Sequence, residues 1–369
     1  MLLITGATGF LGGAVAAQAI RCGDGASLRL LVRAETHAEG LDRIKTVLRT
    51  YAIPEQDIAK LRPDQIVLGD IETGVTPSEA VRFADVRCCI HSAALTTFSH
   101  NPRIEPVNVD GSVKLAQCLM EYADDLRRFV YVGTAMACGT QLDAAHVLEN
   151  DLLNEDAEHV VPYTASKANA ERALRAVLPP DVLVIARPSI IVGDTVHGCA
   201  SSQSIFWVFL MAQKLGCFTT EPNDRIDIIP VDYAASALLF LARKSELGFS
   251  AYHISAGLDR SNNFVEIDAA LAHARGVPAV GQNYRMIGRD DMAELLPVAR
   301  ELFPDVKNRL ILHAFKLYGA FAALNYTFDN ARLSSEGFAA PPFLTSYLSR
   351  CVETAGHIPL SEQMKWDFK

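Results

Sequence analysis

The amino-acid sequence predicts an α/β fold, with a doubly wound parallel sheet and a smaller, mostly helical C-terminal lobe. Short runs rich in Val, Ile and Leu alternate with helix-favouring segments through the first two thirds of the chain, which is the pattern of βαβ units. These runs are mostly apolar, as expected for strands that are covered on both faces. The predicted strands are Leu2–Thr5, Ser27–Val32, Gln65–Leu68, Val86–His91, Phe129–Val132, Val182–Ala186 and Ala251–Ser255.

Helices are predicted between these strands and beyond the last of them. The first is an Ala-rich stretch that ends at Ile20. The pattern loosens after Gly193, where a polar loop precedes a short apolar helix. The other predicted helices are Pro102–Tyr122, Val161–Val177, Ile205–Ala212, Val265–Ala274, Asp291–Leu302, Leu310–Leu324 and a last helix after the Pro-containing stretch Phe338–Phe343.

The opening stretch, MLLITGATGFLGGAVAAQA, has two interpretations: a secretory signal, or a first strand that runs into a phosphate-binding turn. A signal needs a basic region before its apolar core, but the first basic residue is Arg21. Gly6, Gly9 and Gly12 lie between a strand and a helix, where they permit a tight turn, close approach to a pyrophosphate and helix–strand packing. This context favours a Rossmann-like dinucleotide site over a glycine-rich loop that binds nothing.

Composition excludes several other classes of protein. The chain has 369 residues, of which 50% are hydrophobic and 21% charged, as in globular proteins. Its net charge of −9 argues against nucleic acid as a partner. The apolar run Ile205–Ala212 is too short to span a membrane, so we expect no stable membrane insertion but a buried helix or the wall of a substrate site. The eight cysteines lack zinc-like spacing, which indicates free thiols, a cytoplasmic location and no metal site.

Three side chains carry candidate chemistry. Tyr163 and Lys167 are four residues apart in a segment that reads as helix after Pro162, so they share one helix face. The ammonium is expected to lower the pKa of the phenol from its usual value of about 10, which suits a proton donor. Thr134 follows an apolar strand, where its hydroxyl could polarise a substrate carbonyl. An exposed helix pair and a Thr that merely ends a strand are the alternatives.

A set of motifs over residues 1–257 resembles the extended short-chain dehydrogenase/reductases. The runs HSAALTTFS, NVDGSVKLAQ, RPSIIVGD and IIPVDYAASAL resemble more closely the thioester reductase and fatty acyl-CoA reductase (male sterility) branch of that superfamily. The motifs, in chain order, are Gly6-Ala7-Thr8-Gly9-Phe10-Leu11-Gly12, Gly69-Asp70-Ile71, His91-Ser92-Ala93-Ala94, Asn108-Val109-Asp110-Gly111, Thr134, Tyr163-x-x-x-Lys167 and Arg187-Pro188-Ser189-Ile190.

The resemblance implies a role for each matching position. Thr134, Tyr163 and Lys167 would form the catalytic triad, with Tyr163 as proton donor and Lys167 holding the nicotinamide ribose. Gly133 precedes Thr134 where the family usually has Ser, but the hydroxyl of residue 134 is kept. Asp70 and Ile71 would contact the adenine, and Ala93 and Ala94 would line the path between the cofactor halves. Asn108 would brace the neighbouring strand, and Pro188 and Ile190 would lie against the nicotinamide. The phosphate-binding turn would be formed by Gly6, Thr8, Gly9, Phe10, Leu11 and Gly12.

The second predicted strand bears on the choice of nicotinamide. It ends at Arg33, whose guanidinium suits the 2′-phosphate of NADPH through paired hydrogen bonds. Arg43 would add a second guanidinium from the next helix. Glu35 supports the alternative, because an acid in this region binds the ribose hydroxyls of NADH. The sequence favours NADPH.

Together these features predict an NADPH-dependent reductase of an acyl thioester, held on coenzyme A or on an acyl or peptidyl carrier protein, to an aldehyde or alcohol. Residues 1–193, with 226–257 returning to the sheet, would bind the cofactor, and residues 194–225 and 258–369 would form the substrate-binding lobe. An NADP-dependent ketone or aldehyde reductase or alcohol dehydrogenase, a nucleotide-sugar epimerase or dehydratase, and a cofactor-sensing module without catalysis are the alternatives.

Overall fold

The computed structural model describes residues 1–142, 145–150, 152–202, 204–288 and 294–364. Its centre is a sheet of seven parallel strands in the spatial order β3-β2-β1-β4-β5-β6-β7. Each predicted strand begins and ends within two residues of the observed one, and the predicted fold class is confirmed. In chain order the strands β1 to β7 are Leu2–Thr5, Leu28–Val32, Ile66–Leu68, Cys88–His91, Arg128–Val132, Leu183–Pro188 and Ala251–Ile254.

Two of the predicted helices begin later than expected, and the helices His37–Thr50 and Val231–Arg243 lie outside the predicted helix ranges. Within the helix predicted as Pro102–Tyr122, residues Pro106–Asp110 form a π-helical turn, and the regular α-helix begins after it, at Gly111. The helix predicted from Asp291 begins at Leu296, and Asp291 itself lies outside the described residues. In chain order the helices α1 to α10 are Phe10–Arg21, His37–Thr50, Gly111–Tyr122, Pro162–Val177, Phe206–Leu215, Val231–Arg243, Phe264–Arg275, Leu296–Leu302, Asn308–Ala322 and Leu344–Ala355.

Short elements complete the chain. One-turn helices are Glu55–Ile58, Pro77–Ala80, Gly257–Arg260, Ala331–Ser335 and Leu360–Gln363. Turns of 3-10 helix are Gly25–Ser27, Pro63–Gln65, Val81–Phe83, Ala135–Cys138 and Gly281–Asn283. Two-residue strands pair Ile190–Ile191 with Ile228–Ile229, His146–Val147 with Thr327–Phe328, Cys217–Phe218 with Arg285–Met286, and Arg225–Ile226 with Asn262–Asn263.

Helices cover both faces of the sheet. On one face α1, α2 and α6 pack against strand residues such as Ile4, and small side chains such as Ala17 and Ala235 bring α1 close to α6. On the other face α3 and α4 pack through Leu119 and Leu174. Because both faces are covered, most strand residues are buried and apolar, and helices and strands meet in two buried layers.

The C-terminal helices pack around α5. Every residue of α5 except Lys214 is buried, so the apolar run predicted to be a buried helix or a site wall is a core helix. Trp207 packs in a cluster with α8 and α9, and Phe206 packs in a second cluster with α7 and α10. Within the described ranges, no helix is both long and apolar enough to cross a membrane.

A buried ion pair joins α4 to β6. The Nη2 atom of Arg187 lies 2.8 Å from Oε2 of Glu171, and both side chains are at most 2% exposed. The Nη1 atom of Arg187 also donates to the carbonyl of Asn150 at 2.6 Å. Gly133, at the end of β5, leaves the space for this pair, because a Cβ there would lie 2.7 Å from Oε1 of Glu171. The glycine found in place of the usual Ser therefore has a steric reason.

We expect Gly133→Ala to lower the free energy of unfolding by about 3 kcal/mol, because the added methyl group displaces the Glu171 carboxylate from Arg187 and a buried charge loses its partner. Urea denaturation measures the change. Gly25→Ala is the matched control, since a Cβ at Gly25 meets no atom nearer than 3.4 Å. Equal effects of the two substitutions would show that the space beside Glu171 is not limiting.

Candidate active site

The glycine turn between β1 and α1 has the geometry of an anion-binding loop. Gly6 has a φ of +71°, and a Cβ there would lie 2.9 Å from the backbone nitrogen of Ala93. A Cβ on Gly12 would lie 2.3 Å from the carbonyl oxygen of Gly6, so α1 packs directly on the turn. Gly9 is the N-cap and has no side chain to accept from the first-turn N–H groups, which leaves those donors for a ligand.

A cavity of about 680 Å³ lies over this turn. Thr8, Gly9 and Phe10 form one side of it, and Ala94, from the segment after β4, forms another. β1 and β4 are the neighbouring strands at which the chain order of the sheet reverses. Ligands of doubly wound sheets bind at this crevice, outside the carboxyl ends of the strands.

A second cavity of about 300 Å³ adjoins the first and contains the three candidate catalytic side chains. Thr134 follows the end of β5, while Tyr163 and Lys167 lie in the first two turns of α4. The structure thus brings together residues that are separated along the chain. Of the residues predicted to bind the cofactor, Phe10, Leu11, Ala94, Pro188 and Ile190 also line this cavity.

The hydroxyl of Thr134 is held by the backbone. Its Oγ1 atom accepts a hydrogen bond from the backbone N–H of Met136 at 3.3 Å and so caps the 3-10 turn Ala135–Cys138. A hydroxyl that accepts from the backbone keeps its own proton for donation. Thr134 can therefore donate a hydrogen bond to an oxygen in the cavity.

The electrostatics of Tyr163 and Lys167 differ from the sequence expectation. Desolvation in the enclosed cleft raises the pKa of Tyr163 to about 12, so the expected lowering by the neighbouring ammonium is wrong for the protein alone. Burial also lowers the pKa of Lys167 to about 7, an effect that the carboxylate of Glu171 opposes. The Nζ atom of Lys167 lies 4.6 Å from the centre of the Tyr131 ring. Burial outweighs the pairing of charges because both groups leave water together.

The side chain of Asn108 forms hydrogen bonds with the backbone of Leu95, in the segment after β4. Its Oδ1 atom accepts from the N–H of Leu95 at 2.7 Å, and its Nδ2 atom donates to the carbonyl of Leu95 at 3.1 Å. Nδ2 also donates to Ser166 Oγ at 2.9 Å, and Ser166 Oγ donates to the carbonyl of Tyr163 at 2.7 Å. Asn108 therefore fixes the segment after β4 against the first turn of α4.

Charged side chains gather where β2 and β3 end. The Nη1 atom of Arg33 lies 3.5 Å from Oδ2 of Asp70, and the side chain of Arg33 is 68% exposed. Arg43, on α2, donates to the carbonyl of Arg33. Ile71 packs against Gly111, where a Cβ would lie 2.5 Å from its side chain. The Arg43 side chain is thus held at the backbone of Arg33, directly after the end of β2.

The structure adds site residues that sequence reasoning missed. Phe98, Met136, Tyr318 and Phe321 line the catalytic cavity, the last two from α9. Helix α9 is predicted from the sequence, and the spacing of its aromatic side chains places them on one face. That this face closes the cavity depends on long-range packing, for which the sequence holds no local signal.

The described residues contain no cluster of three or more His, Cys, Asp or Glu side chains arranged to hold a metal ion. All eight cysteines are free thiols. Cys89, in the apolar run of β4, is fully buried, whereas its neighbour Cys88 is only partly buried.

The model of the male sterility protein family, an NAD-binding domain family, matches residues 4–238. The aldehyde reductase lnaA of Aspergillus flavus is 25% identical over 304 residues, which are 77% of this chain but only 29% of that longer protein. The chain therefore spans less than a third of this relative.

Solved reductase domains share the fold. The terminal R domain of the myxalamid PKS-NRPS pathway has a TM-score of 0.76 and 21% identity, over 96% of this chain and 90% of that one. A thiolation-reductase di-domain of an archaeal non-ribosomal peptide synthetase has a TM-score of 0.64 and 18% identity, over all of this chain and 75% of that one. The predicted superfamily branch and the predicted class of NAD(P)-dependent oxidoreductase are confirmed. The chain belongs to the male sterility protein family of the extended short-chain dehydrogenase/reductases.

Proposed function

We propose that the protein reduces an acyl thioester to an aldehyde or alcohol with NADPH. The observation that carries the proposal is the convergence of Thr134, Tyr163 and Lys167 on one cavity that is otherwise lined mainly by apolar side chains. The adjoining cavity over the glycine turn fits a dinucleotide, because free backbone donors and a side-chain-free N-cap face it. A bound reduced nicotinamide supplies the hydride.

The hydroxyl groups of the cavity stabilise and protonate the substrate oxygen. Thr134 donates a hydrogen bond to the thioester carbonyl and polarises it. As the carbonyl carbon gains the hydride, Tyr163 transfers its proton to the oxygen and a hemithioacetal forms. That intermediate releases the thiol, which takes the hydroxyl proton, and leaves the aldehyde. A second hydride and proton convert the aldehyde to the alcohol.

The raised pKa of Tyr163 is consistent with this role. A phenol with a pKa of about 12 is fully protonated at neutral pH and therefore carries a proton to give. The negative charge of the tyrosinate formed in the step is stabilised by the Lys167 ammonium one helical turn away. Lys167, with a pKa of about 7, is also able to return a proton to the tyrosinate.

We place the cofactor in residues 1–193 with 226–257, and the substrate between that unit and residues 194–225 and 258–369. The contribution of α9 to the cavity wall, through Tyr318 and Phe321, supports this division. A thioester on coenzyme A or on an acyl or peptidyl carrier protein is the proposed substrate form. The likeness to a reductase that is joined to a thiolation domain supports a carrier partner.

Reduction of a free aldehyde is the second candidate, which the relative described as an aldehyde reductase favours. The same triad would protonate the oxygen of either carbonyl. Turnover of free aldehydes with no turnover of any thioester would select this candidate.

We expect Tyr163→Phe to lower kcat for thioester reduction by about 10²- to 10⁴-fold, because the alkoxide loses its proton donor. NADPH oxidation with a panel of acyl thioesters, followed at the nicotinamide absorbance, measures this. The dissociation constant for NADPH should change by no more than about threefold, since the phenol is one contact among many.

Tyr233→Phe is the matched control, because the Tyr233 ring packs at a tilt against Phe338 outside the cavity and the substitution removes a phenolic hydroxyl of the same kind. Tyr163→Phe with wild-type turnover, or an equal loss in both variants, would contradict the assigned role.

The position of Arg33 and Arg43 supports NADPH over NADH. We expect the double substitution Arg33→Ala/Arg43→Ala to raise KM for NADPH by about 10- to 100-fold, because charge-assisted hydrogen bonds to the 2′-phosphate are lost. KM for NADH should stay within about twofold. Steady-state kinetics with each cofactor measures the ratio.

Arg49→Ala is the control for this pair, since Arg49 lies on the same helix and bonds Glu55 at 2.7 Å instead. Equal loss of affinity for NADPH and NADH in the double variant would show that the two guanidinium groups do not read the 2′-phosphate.

A further inference from the structure

A narrow apolar chamber lies behind the catalytic cavity. Its volume is about 70 Å³, compared with about 300 Å³ for the cavity that contains Tyr163. The two spaces share part of their walls, so the chamber lies next to the cavity, on the side of the C-terminal helices. The shared wall residues are Met136, Ile190, Ile205, Tyr318 and Phe321.

Helix α5 forms the inner wall of the chamber. Val208, Phe209 and Ala212 line it from one face of that helix, and Phe264 and Ile267 line it from α7. All five side chains are apolar. Two helices of the C-terminal lobe thus give the chamber an apolar wall.

The charged groups at the chamber already have partners in the protein. Asp227 accepts hydrogen bonds from the backbone N–H groups of Ala256, Gly257 and Phe328, at 2.7, 3.2 and 2.9 Å. Arg225 donates to the carbonyl of Ser261. Asp224, the third charged residue of the lining, accepts from the backbone N–H of Glu221 at 3.0 Å and from the side-chain amide of Asn325 at 3.1 Å. Each of the three charged side chains is thus hydrogen-bonded within the protein, so the chamber offers an occupant mainly apolar contact.

We propose that this chamber takes the end of a linear alkyl chain of the substrate and limits its length. The inference rests on the proposed function, since it names the acyl class that the enzyme reduces. An apolar cavity of about 150 Å³ holds one benzene ring. A chamber of about half that volume therefore holds roughly three methylene groups and excludes a ring.

Two side chains set the limit in opposite directions. Phe209 is a large side chain in the wall, so its truncation lengthens the space. Ala212 is the smallest side chain on the same face of α5, so a larger residue there fills the space. The length of the preferred alkyl chain should therefore increase when the side chain at residue 209 or 212 is made smaller and decrease when it is made larger.

The test uses linear 1-alkanols of three to ten carbons as probes, titrated into protein saturated with NADP⁺ by calorimetry. These alcohols need neither coenzyme A nor a carrier, and their binding does not require reduction of a thioester. We expect the dissociation constant to fall about fourfold for each methylene group that enters the chamber and then to stop falling. The chain length at which this happens is the break.

We expect Phe209→Ala to move the break about three carbons longer and Ala212→Leu to move it about two carbons shorter. Leu210→Ala is the matched control: Leu210 is a buried residue of the same helix that does not line the chamber, so its break should stay at the wild-type length. Thermal unfolding of each variant checks that the protein remains folded.

The same break in all four proteins, or the absence of alkanol binding, would overturn the inference. Failure of the proposed function gives a different result: the break would move as expected while no acyl thioester of any length is reduced. An alkyl chain of matched length on a thioester should be turned over fastest if both proposals hold.

Discussion

The buried ion pair between Glu171 and Arg187 fixes the element on which the active site depends. It holds α4 against β6, with both charged groups removed from water. A buried pair of this kind contributes little net stability compared with apolar packing, but a partner left alone is costly. Rotation or sliding of α4 would separate the two charges. The pair therefore selects one position of α4, and with it the positions of Tyr163 and Lys167, which lie on the same helix.

The same pair constrains the end of β5. Gly133 lies against the Glu171 carboxylate, and Thr134 follows it directly. The hydroxyl of Thr134 is then held by the Met136 N–H at the start of a 3-10 turn. Asn108 adds a second brace through Leu95 and Ser166 to the first turn of α4. Two independent sets of contacts thus hold the three proposed catalytic groups before any ligand binds, which is the preorganisation that electrostatic catalysis needs.

Much of the fold could be predicted from the sequence because its signals are local. The strands are short apolar runs, and the turn between β1 and α1 is defined by glycines whose spacing reflects steric contact with their neighbours. The lining of the cavity by Tyr318 and Phe321 could not be predicted, since it depends on how α9 packs over residues far away in the chain. The pKa of Tyr163 was predicted in the wrong direction, because the sequence shows which charges are near but not how much water is lost. The steric need for glycine at residue 133 could not be predicted either, because it comes from the Glu171 carboxylate, which is 38 residues away in the chain.

The side chains proposed for proton transfer and those proposed to select the acyl chain lie on different elements of the fold. Thr134, Tyr163 and Lys167 are attached to a parallel strand and a helix whose positions are fixed by buried contacts on both sides. The chamber beside them is lined in part by α5 and α7, which contribute apolar side chains to it. A change of volume in that wall leaves the hydrogen bonds of the catalytic groups intact, because Phe209 and Ala212 contact none of them through a polar atom. The groups proposed to transfer the proton are thus separate from the apolar space proposed to select the chain, so the two can vary independently.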